Sequence, residues 1–378
     1  IAESARPYWY GKGLSAGFLP GCHEPAVWDA ILEGKPYQVS GLISGACNPL
    51  VAYPNTKRIY KALKSARLEL SVVAEQWMTP SAMLADYVFP ITNWLEHPQL
   101  YTQTFQGSGN TAAIGEQVVT PLHERKSDFE FYRGLGLKLG QEKYWHDSLD
   151  QEWDWCLQPL LQELNLDSAR EFATKQRWWS PPAVEKRYET IDPKTSNPRG
   201  FATPTGKVEL YSTILEKLGY DPLPGYQEPP ETPISQPELA KKYPFILITG
   251  ARFRPMHHSE HRQIRSLRKL YPFPTAEINS ETAHRLGIGE GDWMVIETPR
   301  GKIKQKAKLT SRILPRMVES QHGWWFPEEI GEDPILFGVF ESNVNVLTPD
   351  SEEFCDPATG AVTFGPLLCR VYPLKKYV

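Results

Sequence analysis

Phe245-Ile246-Leu247-Ile248-Thr249-Gly250 is a continuous apolar run that breaks on a polar residue and a glycine. Four apolar residues in succession leave no polar face for solvent, so the run reads as a buried strand. Past the break come His257-His258-Ser259-Glu260-His261-Arg262, then Ala276-Glu277-Ile278-Asn279, a helix over Ser280–Leu286 and a glycine-rich turn through Gly287, Gly289 and Gly291. Trp293–Glu297 and Lys302–Ala307 flank Pro299-Arg300-Gly301 and predict a β-hairpin. Further strands are expected near 314–319 and 368–373. Many short strands with Gly and Pro turns point to a closed β-barrel. A strand that ends in a polar, His-rich loop is a way to deliver side chains to a ligand. The stretch closes on His322-Gly323-Trp324-Trp325.

Upstream, the periodicity changes. Glu24–Leu32 predicts a helix stopped by Gly34-Lys35-Pro36, and Tyr37–Ile43 a strand that runs into Ser44-Gly45-Ala46-Cys47-Asn48-Pro49. A helix over Thr56–Ala66, a strand over Leu68–Val73, a short helix over Ser81–Asp86 and a strand at Tyr87–Pro90 complete a βαβ pattern with a parallel sheet. Ligands of such sheets sit beyond the carboxyl ends of the strands, which places the 44–49 and 75–79 turns on one rim. Residues 91–200 are less regular, with helices expected over Lys126–Leu139 and Glu152–Leu164 and a linker at Trp178-Trp179-Ser180-Pro181-Pro182. The Pro-rich 221–237 segment reads as an ordered arm or an interdomain linker.

With 378 residues, 40% apolar and 23% charged, the chain has the composition of a globular protein with room for two or three domains. A net charge of −4 gives no general attraction to nucleic acid or anionic membrane, and no apolar run is long enough to span a bilayer. The five cysteines form no C-x-x-C pair and are expected to be buried thiols rather than a disulfide framework or a metal cage. Ile1-Ala2-Glu3-Ser4 has no initiator Met and no leader pattern, so the chain is expected to be a piece of something longer or a mature form. Compartment stays open.

Several constellations could carry chemistry. Gly45-Ala46-Cys47-Asn48-Pro49 is either a plain turn or a rim where small residues let backbone approach a phosphate or base; no G-x-G-x-x-G accompanies it. In Glu75-Gln76-Trp77-Met78-Thr79-Pro80, Thr79 is a candidate N-cap and Glu75 could accept from a guanine edge or a ribose hydroxyl. Asp86 is equally suited to a local backbone bond. His257 and His258 could ligate a metal with His322 as third ligand, but lacking a Cys or Asp at ligand spacing they are read as hydrogen-bonding partners of a polar heterocycle. Asn343 and Asn345, if extended, point opposite ways, one toward a ligand and one toward the turn. Spacing alone therefore supports a two-domain α/β plus β-barrel protein with a polar ligand.

Taken in order, these segments resemble the molybdopterin oxidoreductases of the dimethyl sulfoxide reductase family. The segment Glu75-x-x-Met78-Thr79-Pro80-x-Ala82-x-x-Ala85-Asp86 with Pro90 and Glu96 is similar to the part that lies near one guanosine of that family's cofactor. Phe201–Ser212 is similar to the entry to its last domain. Thr249-Gly250, His257-His258-Ser259, Leu286-Gly287-Ile288, Gly291-Asp292 and Asn345-x-Leu347-Thr348 are similar to its dinucleotide-binding barrel. His322-Gly323-Trp324-Trp325 and the Met-Thr-Pro form look closest to the branch of thiosulfate and polysulfide reductases and acetylene hydratase.

The resemblance implies a partial Rossmann-like parallel α/β domain (1–200), a Pro-rich arm (201–240) and a double-psi-like β-barrel that binds molybdopterin dinucleotide (241–378). It implies a bis(molybdopterin guanine dinucleotide) cofactor with molybdenum or tungsten, and oxygen-atom, sulfur or two-electron transfer; a non-redox hydratase or transhydroxylase, or a cofactor-free scaffold, are the alternatives. Gly45, Asn48, Glu75, Gln76, Thr79 and Asp86 would line one guanosine and its phosphates. Thr249, Gly250, Arg252, His257, His258, Ser259 and Asn345 would hold pterins and pyrophosphates. The family's [4Fe–4S] segment and its protein ligand to the metal do not occur here, so the chain reads as a C-terminal half that is inactive alone. The N-terminal half is its expected partner, with an iron–sulfur electron-transfer subunit as a further candidate.

Overall fold

The computed structural model describes residues 23–103, 111–182, 184–223, 225–356 and 360–374. The segment 1–20, Cys22 and Pro357-Ala358-Thr359 of the sequence reading lie outside these. The chain divides into two compact units, one of residues 1–73, 78–88 and 211–378, the other of 74–77 and 89–210. Among the described residues no helix is long and apolar enough to cross a membrane.

The first unit begins with helix α1 (Glu24–Glu33), strand β1 (Gly41–Gly45), the short helix α2 (Pro49–Ala52), helix α3 (Thr56–Leu63), and strands β2 (Leu70–Glu75) and β3 (Tyr87–Pro90), with sheet order β1-β2-β3. β1 starts later than the sequence predicts because the preceding residues are tied elsewhere. Val39 N donates to Ala30 O, and the Gln38 amide donates to Ile31 O. Asn55 caps α3 through its side chain, which accepts from Arg58 N. Trp28, Ile31, Leu50, Val51, Ile59 and Trp325 bury their side chains in one cluster. Ser81–Asp86 is a 3₁₀ turn over Ala82–Leu84 and not a full helix.

The second unit is more regular than its sequence suggests. Strands β4 (Gln99–Gln103), β5 (Thr111–Gly115) and β6 (Trp178–Trp179) form an antiparallel sheet, joined by helices α4 (Asp128–Lys138), α5 (Leu149–Leu164) and α6 (Ala169–Lys175). The expected linker at Trp178-Trp179 is thus a strand. Trp179 leans on the core of Ile114, Trp153, Leu157 and Phe172, and that burial outweighs the following prolines. Ser127 and Glu130 close a capping box on α4. Buried Glu96 accepts from Asn93 N at 2.7 Å and from Arg125 Nη1 at 2.8 and 2.9 Å. The Asn93 bond, ahead of the Arg125 and Leu122 bonds, holds its carboxyl down at about 2.

The remainder of the first unit is a closed six-stranded barrel in the order β10-β8-β11-β7-β12-β9. Its strands are β7 (Phe245–Ala251), β8 (Thr275–Asn279), β9 (Trp293–Thr298), β10 (Gly301–Thr310), β11 (Met317–Gln321) and β12 (Leu367–Pro373). β7 runs parallel to β11 and β8 parallel to β10; the other pairs are antiparallel. The expected hairpin is present, with Thr298 opposite Gly301 across Pro299-Arg300. Leu247, Ile278, Ile288, Met294, Ile296 and Val318 fill the interior. Asn279 caps the helix α7 (Ser280–Arg285) by accepting from Glu281 N and Thr282 N. Buried polar side chains satisfy one another here: Gln305 donates to Gln321 O and Ser342 O at 3.0 Å each and accepts from the equally buried Ser320 Oγ.

The Pro-rich arm is fastened to this barrel. Buried Glu231 receives both terminal nitrogens of Arg300 at 2.7 and 2.9 Å and Leu368 N at 2.8 Å. Cys355 and Cys369 are buried as expected, but Cys47 is only half-buried and Cys156 is exposed on α5. Cys156 falls between Trp153 and Leu157, which point to the core, so helical spacing turns it outward.

Candidate functional site

The parallel pairing of β7 and β11 sets the geometry. Their registers match Ser320 to Thr249 and Gln321 to Ala251, so both strands release their loops on the same rim. The loop after β7 carries Arg252, His257, His258 and Ser259; the loop after β11 carries His322. His258 Nδ1 lies 3.3 Å from His322 Nε2, and His322 Nδ1 lies 3.2 Å from Ala251 O. His257 stacks edge-on against His258, with ring centroids 4.4 Å apart.

Proton positions follow from the partners. A carbonyl only accepts, so His322 Nδ1 carries the hydrogen that faces Ala251 O. Burial lowers the His322 pKa to about 4 and lowers that of His258 as well, so both rings are neutral near pH 7. His322 Nε2 then accepts, His258 Nδ1–H donates, and His258 Nε2 keeps its lone pair for a ligand.

Arg262 locks the two loops together from beneath. Its side chain is 2% exposed, yet it donates to His258 O at 2.6 Å, Glu260 O at 3.2 Å and His322 O at 3.2 Å. Burial, with Arg268 nearby, pushes its pKa down to about 9, which leaves it protonated near neutrality. Its guanidinium also lies 5.1 Å from the centroid of the buried Trp324 ring. Trp325 Nε1 donates to Ser259 O at 2.7 Å. Gly323 has φ +67°, and a Cβ there would stand 2.5 Å from His258 O. Only glycine allows that approach.

The other expected site residues divide into two groups. Gly250 lies open on the rim: a Cβ added to it meets nothing within 4 Å, so the fold itself does not require glycine there. Arg252 and His257 are exposed on the same loop. Asn48 accepts from Ser81 N and Ser81 Oγ, which joins the turn after β1 to the segment after Thr79. Its buried Nδ2 has no hydrogen-bond partner among the described residues. Gly45 is exposed at the end of β1.

The second group is engaged within the protein. Thr249 Oγ1 donates to Phe364 O at 2.5 Å, and Thr79 Oγ1 accepts from Ala82 N. Asp86 accepts from Ser71 N at 2.7 Å, near the start of β2 and away from its carboxyl end. Glu75 accepts from Gln76 N, and the Gln76 side chain accepts from the Asn93 amide. Asn343 is extended but Asn345 is not, because 344–346 is a 3₁₀ turn that Asn343 caps, so the two side chains do not point opposite ways. Both amides donate to Val51 O, at 3.0 Å each. Sequence reasoning assigned no role to Arg262 or Gly323; the glycine between His322 and Trp324 was the one local signal available.

Two family models match this chain: a molybdopterin oxidoreductase model over residues 29–138 and a molydopterin dinucleotide binding domain over residues 245–365. This chain belongs to the molybdopterin oxidoreductases. It is 36% identical over 355 residues to the acetylene hydratase of Syntrophotalea acetylenica, covering 92% of this chain and 46% of that protein. It is 26% identical over 310 residues to the molybdopterin-containing subunit of a thiosulfate reductase of Salmonella typhimurium, covering 77% and 38%. A solved acetylene hydratase from Pelobacter acetylenicus superposes with a TM-score of 0.82 at 34% identity, covering 92% of this chain and 46% of that one. The chain thus spans about half the length, or less, of these relatives.

The residues present fit a molybdopterin dinucleotide in kind. Open backbone at Gly250, an acceptor at His258 Nε2, the exposed Arg252 and the orphaned donor of Asn48 suit a pterin edge and phosphates. Among the described residues no group of three or more His, Cys, Asp and Glu side chains is placed to hold a metal ion.

Proposed function

We propose that this chain is the C-terminal, cofactor-binding portion of a bis(molybdopterin guanine dinucleotide) enzyme that carries out oxygen-atom, sulfur or two-electron transfer. The convergence of His258 and His322 at the ends of two parallel barrel strands, beside the open Gly250, carries the reading. The cofactor, when bound, supplies a molybdenum or tungsten centre that exchanges electron pairs with the substrate. His257, His258, Arg252, Ser259 and the Thr249-Gly250 backbone hold the pterin and pyrophosphate of that group. Gly45, Asn48, Glu75, Gln76 and Thr79 serve one guanosine, Asp86 instead bonds Ser71 N at the other end of β2, and Asn345 supports the barrel side of the site through its bond to Val51 O. In this reading the α/β part is Rossmann-like and the barrel of the double-psi type, with domains at 1–200 and 241–378 joined by the 201–240 arm. The missing half supplies the metal's protein ligand and a [4Fe–4S] cluster, so the chain alone is inactive, and an iron–sulfur subunit is a further partner.

A second reading, non-redox hydration on the same cofactor, is favoured by the likeness to acetylene hydratase. One set of measurements on the full-length protein separates these. Acid oxidation should release fluorescent pterin and GMP, elemental analysis should find molybdenum or tungsten, and a reduced dye should be consumed with an oxidised acceptor. Pterin and metal without acceptor reduction, but with water addition to an alkyne, supports hydration. Absence of pterin and metal leaves a cofactor-free scaffold and overturns both.

A further inference from the structure

The β9–β10 turn lines an open cavity of about 590 Å³ that shares no residue with the His258–His322 rim. Four cationic side chains line it: Lys57, Arg300, Lys302 and Arg370. Two of these charges are neutralised. Arg300 is paired with Glu231, and Arg370 with Glu297 at 2.7 Å. Arg370 and Tyr372 both donate to Glu297 and hold its carboxyl below the usual range, Arg370 the more strongly, so that pair stays ionised.

With Lys57 and Lys302 the lining carries two positive charges in excess, although Lys302 stands opposite Glu297 across the β9–β10 ladder and helps to hold that carboxyl down. Lys302 is exposed and forms no ion pair among the described residues. Lys57 uses one donor on Arg300 O at 2.6 Å, and two N–H groups remain. Its ammonium lies across Gly301, where a Cβ would come within 2.7 Å of it; the missing side chain lets the charge sit over the cavity. Arg370 Nε is buried and has no hydrogen-bond partner among the described residues. Phe340 and Tyr372 line it as half-buried aromatic rings, and Tyr243 is buried behind Arg370, whose guanidinium lies 5.8 Å from the Tyr243 and Tyr372 ring centroids.

We propose that this cavity binds a phosphate monoester with an aromatic or similarly flat body. A phosphate monoester carries about two negative charges near neutral pH, which matches Lys57 and Lys302. Charge-assisted bonds from the two ammonium groups hold its oxygens, while the half-buried Phe340 and Tyr372 rings cover the body.

The test is calorimetric titration of the full-length protein with phenyl phosphate, inorganic phosphate and phenol, at low and moderate salt. Phenyl phosphate should bind saturably, more tightly than inorganic phosphate, and more weakly as salt rises, whereas phenol should not bind. Lys302→Gln and Lys57→Gln should each weaken phenyl phosphate by roughly fivefold, the upper end for one surface ion pair. Because Lys302 is exposed and makes no ion-pair contact among the described residues, Lys302→Gln should shift the melting temperature little and leave the pterin content of the full-length protein unchanged. Binding of inorganic phosphate with equal affinity would remove the apolar-body claim. No saturable binding, or binding that neither lysine variant weakens, overturns the site.

Discussion

His258 Nδ1 and His322 Nε2 stand 3.3 Å apart although 64 residues separate them in sequence. The contact exists because β7 and β11 are parallel neighbours and because Arg262 holds the carbonyls of both histidines. A rim built this way presents one imidazole acceptor in a fixed direction.

Arg262→Lys should loosen that rim. An ammonium cannot fork onto two loops as a guanidinium does, and at least one buried carbonyl is left without a donor. The expected loss is about 1.5–3 kcal/mol in urea denaturation, with the His258 and His322 ring resonances broadened. Unchanged stability together with unchanged histidine resonances would contradict the role.

The histidine pair should resist acid. His322 has a lowered pKa, so between its ordinary value of 6.5 and about 4 the unfolded chain takes up a proton that the folded one refuses. Its contribution therefore makes folding less favourable as pH falls through that window. Ring nitrogen shifts followed by NMR should show His322 neutral at pH 5, and the proton should reside on Nδ1. A His322 that titrates near 6.5 would sink the tautomer assignment.

Asn343 and Asn345 both donate to Val51 O, and that carbonyl belongs to a helix of only four residues. Either amide alone still satisfies the carbonyl. Each single Asn→Ala change should cost about 1 kcal/mol, and the double change more than their sum, because only then is the buried acceptor abandoned. Additive losses in a double-mutant cycle would show that the two amides act separately.

Glu231 ties the Pro-rich arm to Arg300 and to Leu368 N. Glu231→Gln should destabilise the barrel by up to about 3 kcal/mol, since a mostly buried guanidinium loses its counter-charge. Limited proteolysis should then cut first within 221–237. Proteolysis unchanged from the unsubstituted protein would mean that the arm is anchored elsewhere.

Much of the barrel was legible because each strand carries its own local signal. Phe245–Ile248 is continuously apolar, and the apolar run Trp293–Ile296 and the alternating Lys302–Ala307 flank a Pro-Arg-Gly turn, which is enough to specify a hairpin. The 91–200 region was harder. The pairing of Trp178-Trp179 with Ala112 and Ala113 spans more than sixty residues, and no short window reports it. Site polarity was legible in kind through the histidine pair, but who holds whom was not. Arg262 looks like an ordinary surface charge until the chain closes over it. Asn345 looks like a ligand-facing amide until Val51 O appears beside it.

The most direct test of the central claim is the nucleotide content of the full-length protein with and without the rim acceptor. The unsubstituted protein should release two GMP per chain on acid hydrolysis, and His258→Ala should release substantially less while remaining folded by circular dichroism. Two GMP retained in a folded His258→Ala protein, or none in the unsubstituted one, would contradict the assignment of this rim as a pterin dinucleotide holder.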